Sequence, residues 1–230
     1  MYKHLFFDLD RTLWDFDKNS HEVLCDLFTD FELYRKGIAN NQLFIDTYKQ
    51  INEELWGLYR HNQITKERLR DERFLLTLEK FSISDKALAS QMGNEYVKLC
   101  PQKTHLFPFA HSVLSSLKNN YQLHIITNGF EEVQYQKLKS NDLLDYFNEI
   151  ITSEQVGYKK PNPEIFHFSF NKCNTQPKEC LMIGDDLVAD IAGARKVGMD
   201  QVFFNPHSIT HNEKDITHEI RCLSELSDLL

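Results

Sequence analysis

The stretch QLHIITNGFEEVQYQKLKSNDLLDYFNEIITSE, residues 122–154, decides how this chain folds. QLHIITNG (122–129) is an apolar run that ends in the turn residues Asn128 and Gly129, and EIITSE (149–154) repeats that texture. The segment between them, near 131–141, is spaced as a helix. A strand, a helix and a second strand in this order form a right-handed crossover unit of a parallel sheet. Outward in both directions the texture recurs. KHLFFDL (3–9) is a short apolar run of the kind buried on both sheet faces, with carboxylates at its carboxyl end, and CLMIGDD (180–186) and QVFFNP (201–206) are further strands. Helices fall near 110–119, from Asn162 and Pro163 as N-cap and first helical residue to about Lys172, and before Gly198 as a C-cap.

The stretch from about 19 to 100 shows only helical periodicity. Asn19 and Glu22 resemble a capping box, and Val23, Leu24, Leu27, Phe28 and Phe31 share one face. Phe44, Tyr48, Ile51, Leu55 and Leu58 repeat the stripe, as do Phe74, Leu78 and Phe81, and then Leu88, Met92, Tyr96 and Leu99. These stripes predict four helices that pack into a small bundle. The expected architecture is α/β: a Rossmann-like, doubly wound parallel core over residues 1–16 and 101–230, with a helical block over 17–100 inserted after the first strand.

Composition bounds the function. The 230 residues are 41% hydrophobic and 26% charged, as in an ordinary globular protein, with 26 Lys+Arg against 34 Asp+Glu and a formal net charge of -8. No positive field draws such a surface to nucleic acid or an anionic bilayer, so a bound phosphate must be held by local geometry. The opening MYKHLFFDLD reaches acidic residues too early for a signal-peptide core, and no stretch approaches the roughly 18 apolar residues of a membrane helix, so the expected location is the cytoplasm. Cys25, Cys100, Cys173, Cys180 and Cys222 are scattered and form no CxxC pair; they read as reduced packing residues. The histidines suggest no zinc site, and His105, His111 and His207 are left without a role.

In open parallel sheets ligands bind beyond the carboxyl ends of the strands. The residues predicted there are Asp8 and Asp10, then Thr127 and Asn128, then Lys160, then Asp185 and Asp186. Converging carboxylates repel, so the set calls for a cation, and an all-oxygen site suits Mg²⁺. Thr127 offers a hydroxyl, the backbone N–H groups of Asn128 and Gly129 open a helix that can seat phosphate oxygens, and Lys160, held extended by Pro161, adds a fixed positive charge. Each motif alone is weak, since DxD, TNG, KP and GDD all occur in turns and caps. Four of them in one chain order, each at a predicted strand end, carry the weight.

FFDLDRT (Asp8, Asp10, Thr12), IITNG (Thr127), KKP (Lys160) and IGDDLVAD (Asp185, Asp190) resemble the four motifs of the haloacid dehalogenase-like hydrolase superfamily, and with the inserted helices the resemblance spans nearly the whole chain. The segments QINEELWGLYRHNQITKERLRDERF and TNGFEEVQYQKL are similar to the house-cleaning pyrimidine 5'-nucleotidases of that superfamily. The resemblance implies a four-helix cap of the C1 type and a Mg²⁺-dependent phosphomonoester hydrolase that works through an aspartyl-phosphate. It implies Asp8 as nucleophile, Asp10 as acid and base, and Lys160 and Thr127 as stabilisers of the phosphoryl oxygens. It also implies a metal held by Asp8, the backbone carbonyl of Asp10, and Asp185, with Asp190 orienting Lys160 or metal-bound water. The implied partner is a small phosphate monoester, a pyrimidine nucleoside monophosphate or a modified one, with no nucleic acid or membrane.

Several residues stay open. Asp186 is read as a helix cap, and Arg11, where the superfamily commonly has Gly, either meets a phosphate or a cap carboxylate or faces solvent. Trp14 and Phe16, close to Asp8 in sequence, are assigned to the substrate site, whereas Trp56 and Tyr59 are assigned to core packing. The alternatives are a phosphoglycolate or sugar-phosphate phosphatase of the same fold, a dehalogenase, which Asp10 argues against, and a phospho-accepting or silent binding module, which the motif order and intact motifs argue against.

Overall fold

The computed structural model describes residues 1–230. The chain divides into two compact units, Met1–Phe16 with Thr104–Leu230, and Asp17–Lys103. The first unit is built on a six-stranded sheet of β1 (His4–Phe7), β2 (Gln122–Thr127), β3 (Glu149–Thr152), β4 (Cys180–Gly184), β5 (Asp200–Phe204) and β6 (His218–Ile220). The spatial order is β3-β2-β1-β4-β5-β6, with every neighbouring pair parallel. β1 is buried along its whole length, as is β4, which explains their unbroken apolar sequences. β1 lies between β2 and β4, so its carboxyl end opens at the point where the strand order reverses, the usual crevice of a doubly wound sheet. β6 has no counterpart in the sequence expectation: three residues, His-Glu-Ile, carry too short a pattern to register.

The second unit is helical: α1 (Phe16–Asp30, beginning on the last residue of the first unit), a short 3-10 turn, α2 (Asn41–Arg60), α3 (Lys66–Glu79) and α4 (Lys86–Leu99). Asn40, Thr65 and Asp85 cap the last three by accepting the N–H of Leu43, Arg68 and Leu88. α1 departs from expectation, because it starts three residues before Asn19, which is buried inside the helix and does not cap it. The stripe on α2 runs Ile51, Leu55, Tyr59; Leu58 is turned outward and 39% exposed. Tyr48, Phe74 and Tyr96 meet with ring centroids 4.7–5.6 Å apart, and the Arg73 guanidinium lies 4.7 Å from the Tyr96 ring centre.

The remaining elements of the first unit are α5 (Ala110–Leu117), α6 (Glu131–Ser140), a single turn α7 (Ser153–Val156), α8 (Pro163–Lys172), α9 (Gly193–Lys196) and α10 (Leu226–Leu229). Asn162 caps α8 ahead of Pro163, as expected. The helix foreseen before Gly198 is interrupted: Leu187–Ala192 forms a π-helical turn, and only its last residues are α-helical. No helix is long and apolar enough to cross a membrane. None of the five cysteines forms a disulfide, and burial pushes the thiols of Cys173 and Cys180 up to about 12 and 11, so those two stay protonated packing groups.

Candidate active site

Every strand that ends at the crevice contributes a side chain. Past β1 the chain turns tightly, with the N–H groups of Leu13 and Trp14 both donating to the Leu9 carbonyl and Arg11 held at φ 60, in the left-handed region. The left-handed φ at Arg11 is a physical reason for a Gly at this position. The turn leaves Asp8 buried at the strand tip, with Asp10 behind it. Lys160 is 2% exposed and its ammonium uses all three protons: Nζ donates to Asp8 Oδ1 at 2.7 Å, Asp190 Oδ1 at 2.6 Å and the Ile126 carbonyl at 2.7 Å. Asn128 holds that lysine from behind through a reciprocal pair, its Oδ1 accepting the Lys160 N–H at 2.7 Å and its Nδ2 donating to the Lys160 carbonyl at 2.9 Å.

Carboxylate oxygens of Asp8, Asp185 and Asp190 all lie within 4.8 Å of one another. Burial first, and then the Asp190 and Asp10 charges, push Asp8 up to about 7 against the pull of Lys160. Asp185 is raised well above the ordinary carboxylate range by burial and by Asp8 and Asp190, with Arg11 opposing. Burial works against the charge on Lys160, but Asp190 and Asp8 outweigh it and raise its pKa. Fully ionised, the three carboxylates would set two uncompensated negative charges against the one ammonium in a largely buried cluster, which is the repulsion that raises their pKa values. A divalent cation fits that deficit, and an oxygen-only donor set fits Mg²⁺. Asp8, Asp185 and Asp190 could each offer it an oxygen, Asp190 being also bound through one oxygen to Lys160 and through the other to the Asp186 N–H at 3.1 Å. Asp186 caps the π-helical turn by accepting the N–H of Val188 and Ala189, the role expected of it.

The structure departs from expectation around Thr127 and Trp14. The Gly129 N–H donates to Thr127 Oγ1 at 3.1 Å, and Glu131, the first residue of α6, donates its N–H to the Glu154 carboxylate at 2.7 Å. Of the two N–H groups expected to seat phosphate oxygens, those of Asn128 and Gly129, the Gly129 one is thus engaged inside the protein, as is that of Glu131. Trp14, assigned to the substrate, has no exposed surface; its ring lies under the Lys137 ammonium, 4.3 Å from the ring centre, and edge-on to Phe16 at 6.2 Å. A ring so covered supports Lys137 and offers no face for stacking. Arg11 does not simply face solvent, since its guanidinium sits 4.8 Å from the Phe16 ring centre.

Two residues went unseen in the sequence. Gln134 Nε2 donates to Asp10 Oδ2 and to Thr127 Oγ1, both at 2.8 Å, and Lys137 Nζ donates to Asp10 Oδ1 at 2.5 Å. Their three-residue spacing on α6 was visible, but nothing in it told which helix face meets the strand ends.

Residues 2–198 match the family model described as haloacid dehalogenase-like hydrolase. The pyrimidine 5'-nucleotidase PynA of Streptococcus pneumoniae is 33% identical over 100% of this chain and 95% of its own length. The pyrimidine 5'-nucleotidase YjjG of Escherichia coli is 32% identical over 98% of this chain and 96% of its own length. The crystal structure of the HAD-hydrolase YfnB of Bacillus subtilis bound to magnesium superposes with a TM-score of 0.88 at 29% identity, covering 99% of this chain and 98% of that one. With an aspartate pair at the first strand tip, a buried lysine bridging two carboxylates and a family match over most of its length, the chain belongs to the haloacid dehalogenase-like hydrolases.

Proposed function

We propose that this hydrolase cleaves phosphomonoesters through an aspartyl-phosphate on Asp8, requires Mg²⁺, and acts on pyrimidine nucleoside 5'-monophosphates, including modified ones. The observation that carries the proposal is the Lys160 bridge: one buried ammonium fixes the Asp8 carboxylate at 2.7 Å and is itself fixed by Asp190 at 2.6 Å. A carboxylate held that way can meet a phosphorus in line. Asp8 attacks the phosphorus, Asp10 protonates the departing ester oxygen, and Asp10 then takes a proton from the water that releases phosphate and restores Asp8. Lys160, its three protons engaged by Asp8, Asp190 and Ile126, stabilises the equatorial phosphoryl oxygens through its charge, and the Thr127 hydroxyl donates to one of them, a task in which losing one donor typically costs about 10²–10³ in rate. Held by Asp8, Asp185 and the Asp10 backbone carbonyl, Mg²⁺ supplies charge compensation between the nucleophile and the phosphate dianion. The nucleotide preference is supported by the full-length similarity to PynA and YjjG.

The test is turnover of p-nitrophenyl phosphate. It is expected to require Mg²⁺ and to vanish in Asp8→Asn, while a panel of pyrimidine nucleoside monophosphates, sugar phosphates and phosphoglycolate ranks the first group on top. Metal-independent turnover, or an active Asp8→Asn, refutes the mechanism; phosphoglycolate at the head of the panel refutes the substrate assignment alone.

A further inference from the structure

Helix α6 presents Gln134 and Lys137, one helical turn apart, to the tip of β1. Gln134 is fully buried and Lys137 is 4% exposed. Between them they engage both oxygens of Asp10, at 2.8 Å and 2.5 Å. Rings surround the ammonium, Trp14 at 4.3 Å and Phe16 at 5.9 Å from ring centre to Nζ, so little water competes for it. The amide's orientation follows from its partners, because a reversed Gln134 would set its own oxygen against the carboxylate. Space enforces the same placement: a Cβ on Gly129 would fall 1.9 Å from Gln134 Nε2, so only glycine lets the amide lie there.

Two consequences follow from counting lone pairs. Each Asp10 oxygen gives one lone pair to α6 and retains another, so the carboxyl group is aimed and can still carry a proton. Thr127 Oγ1 accepts from Gln134 Nε2 at 2.8 Å and from the Gly129 N–H at 3.1 Å. With both lone pairs occupied, the Thr127 hydroxyl acts only as a donor, which suits a phosphoryl oxygen.

We infer that Gln134 and Lys137 are positioning residues for the acid and base carboxyl of Asp10, and that Gln134 also commits Thr127 to donation. The inference rests on the phosphomonoesterase assignment above. In the first step a bond forms between an Asp8 oxygen and phosphorus, the ester P–O bond breaks, and its electron pair stays on the ester oxygen, which takes the Asp10 proton. In the second, water oxygen bonds to phosphorus, its proton passes to Asp10, and the P–O bond to Asp8 breaks. An alkoxide leaving group needs the first proton, whereas p-nitrophenolate departs without it.

The experiment compares kcat/KM, which reports on the first step, for p-nitrophenyl phosphate and for the alkyl monoester turned over fastest, with Mg²⁺ present and Tm recorded for each variant. Lys137→Met is expected to lose about tenfold or more on the alkyl ester and less than about threefold on the aryl ester, with Lys137→Arg recovering most of the loss. Gln134→Met is expected to lose activity on both esters, because Thr127 is released as well. If Lys137→Met does not fold, Lys137→Gln, one bond shorter and without charge, carries the same comparison. Equal losses on the two esters in the Lys137 variant, or none, overturn the positioning role while leaving the phosphatase assignment standing. A wild type that turns over neither ester removes that assignment, and this inference with it.

Discussion

Asp185 has one hydroxyl near it, Thr12 Oγ1 at 3.2 Å, and two carboxylates, Asp8 and Asp190, within 4.8 Å. A side chain placed so is a cost in the metal-free protein, since Lys160 pairs with Asp8 and Asp190 and leaves the buried Asp185 carboxyl beside them without a hydrogen-bonded cation of its own. Asp185→Asn is therefore expected to raise the Tm of metal-free protein by about 2–4 °C for each kcal/mol of repulsion relieved, and to abolish the further rise expected of wild type with Mg²⁺. Thermal melts with chelator and with Mg²⁺ check both; a lower metal-free Tm with the Mg²⁺ response intact puts the cation elsewhere. At this scale the sequence was legible where chemistry demands a residue type: Asp8 and Asp185 at their strand ends gather with Lys160, which lies beyond α7 and not at the end of β3, and Thr127 adjoins Asp10 through Gln134. It was not legible for Trp14, because nearness to Asp8 in number does not say whether a ring meets ligand or packs under Lys137.

The element that decides the site's rigidity is the end of β4 and the turn after it. A Cβ at Gly184 would lie 2.3 Å from Asp190 Oδ2 and 2.7 Å from Asp190 Cβ, so the strand reaches this close only without a side chain. Asp190 is anchored in turn by the π-helical segment that Asp186 caps, and cannot step back without releasing Lys160. Gly184→Ala is expected to cost about 1–3 kcal/mol of stability in urea titrations. It is also expected to cut kcat on p-nitrophenyl phosphate by about 10²-fold as Lys160 loses its hold. A variant matching wild type in both would show that Asp190 is free to move. Strand and helix identities were readable from apolar runs and periodicity, as in β1, β4 and α8. The start of α1, the π-helical turn and β6 were not: burial of Asn19 and pairing against β5 are tertiary facts, and the Asp186 cap, though read from the sequence, does not tell a π-helical turn from an α-helical one.

Taken whole, the sheet separates its functions along its length: acidic chemistry beyond the carboxyl ends, and neutral imidazoles buried toward the amino ends. His4 Nδ1 and His124 Nε2 lie 3.1 Å apart, the His124 ring stacks on Phe6 at 4.7 Å, and its Nδ1 faces the Cys173 thiol at 3.5 Å. Burial, with a smaller contribution from His4, lowers the His124 pKa to about 3, and burial also lowers that of His4. The unfolded chain titrates His near 6.5, so below that pH the unfolded state binds a proton that the folded state refuses. Stability is then complete above about pH 6.5 and falls as pH drops toward 3, by up to about 1.4 kcal/mol per pH unit from His124 alone. His124→Gln, which keeps a neutral hydrogen-bonding group, is expected to be less stable than wild type at pH 7.5 because it loses the stacking on Phe6. Its deficit is expected to shrink by about 1–2 kcal/mol by pH 5, where wild type alone carries the penalty of a histidine that must stay neutral. Urea unfolding of both proteins at half-unit steps measures the gap; curves that stay parallel from pH 7.5 to 5 would show that His124 accepts its proton in the folded state and that its burial costs nothing on acidification.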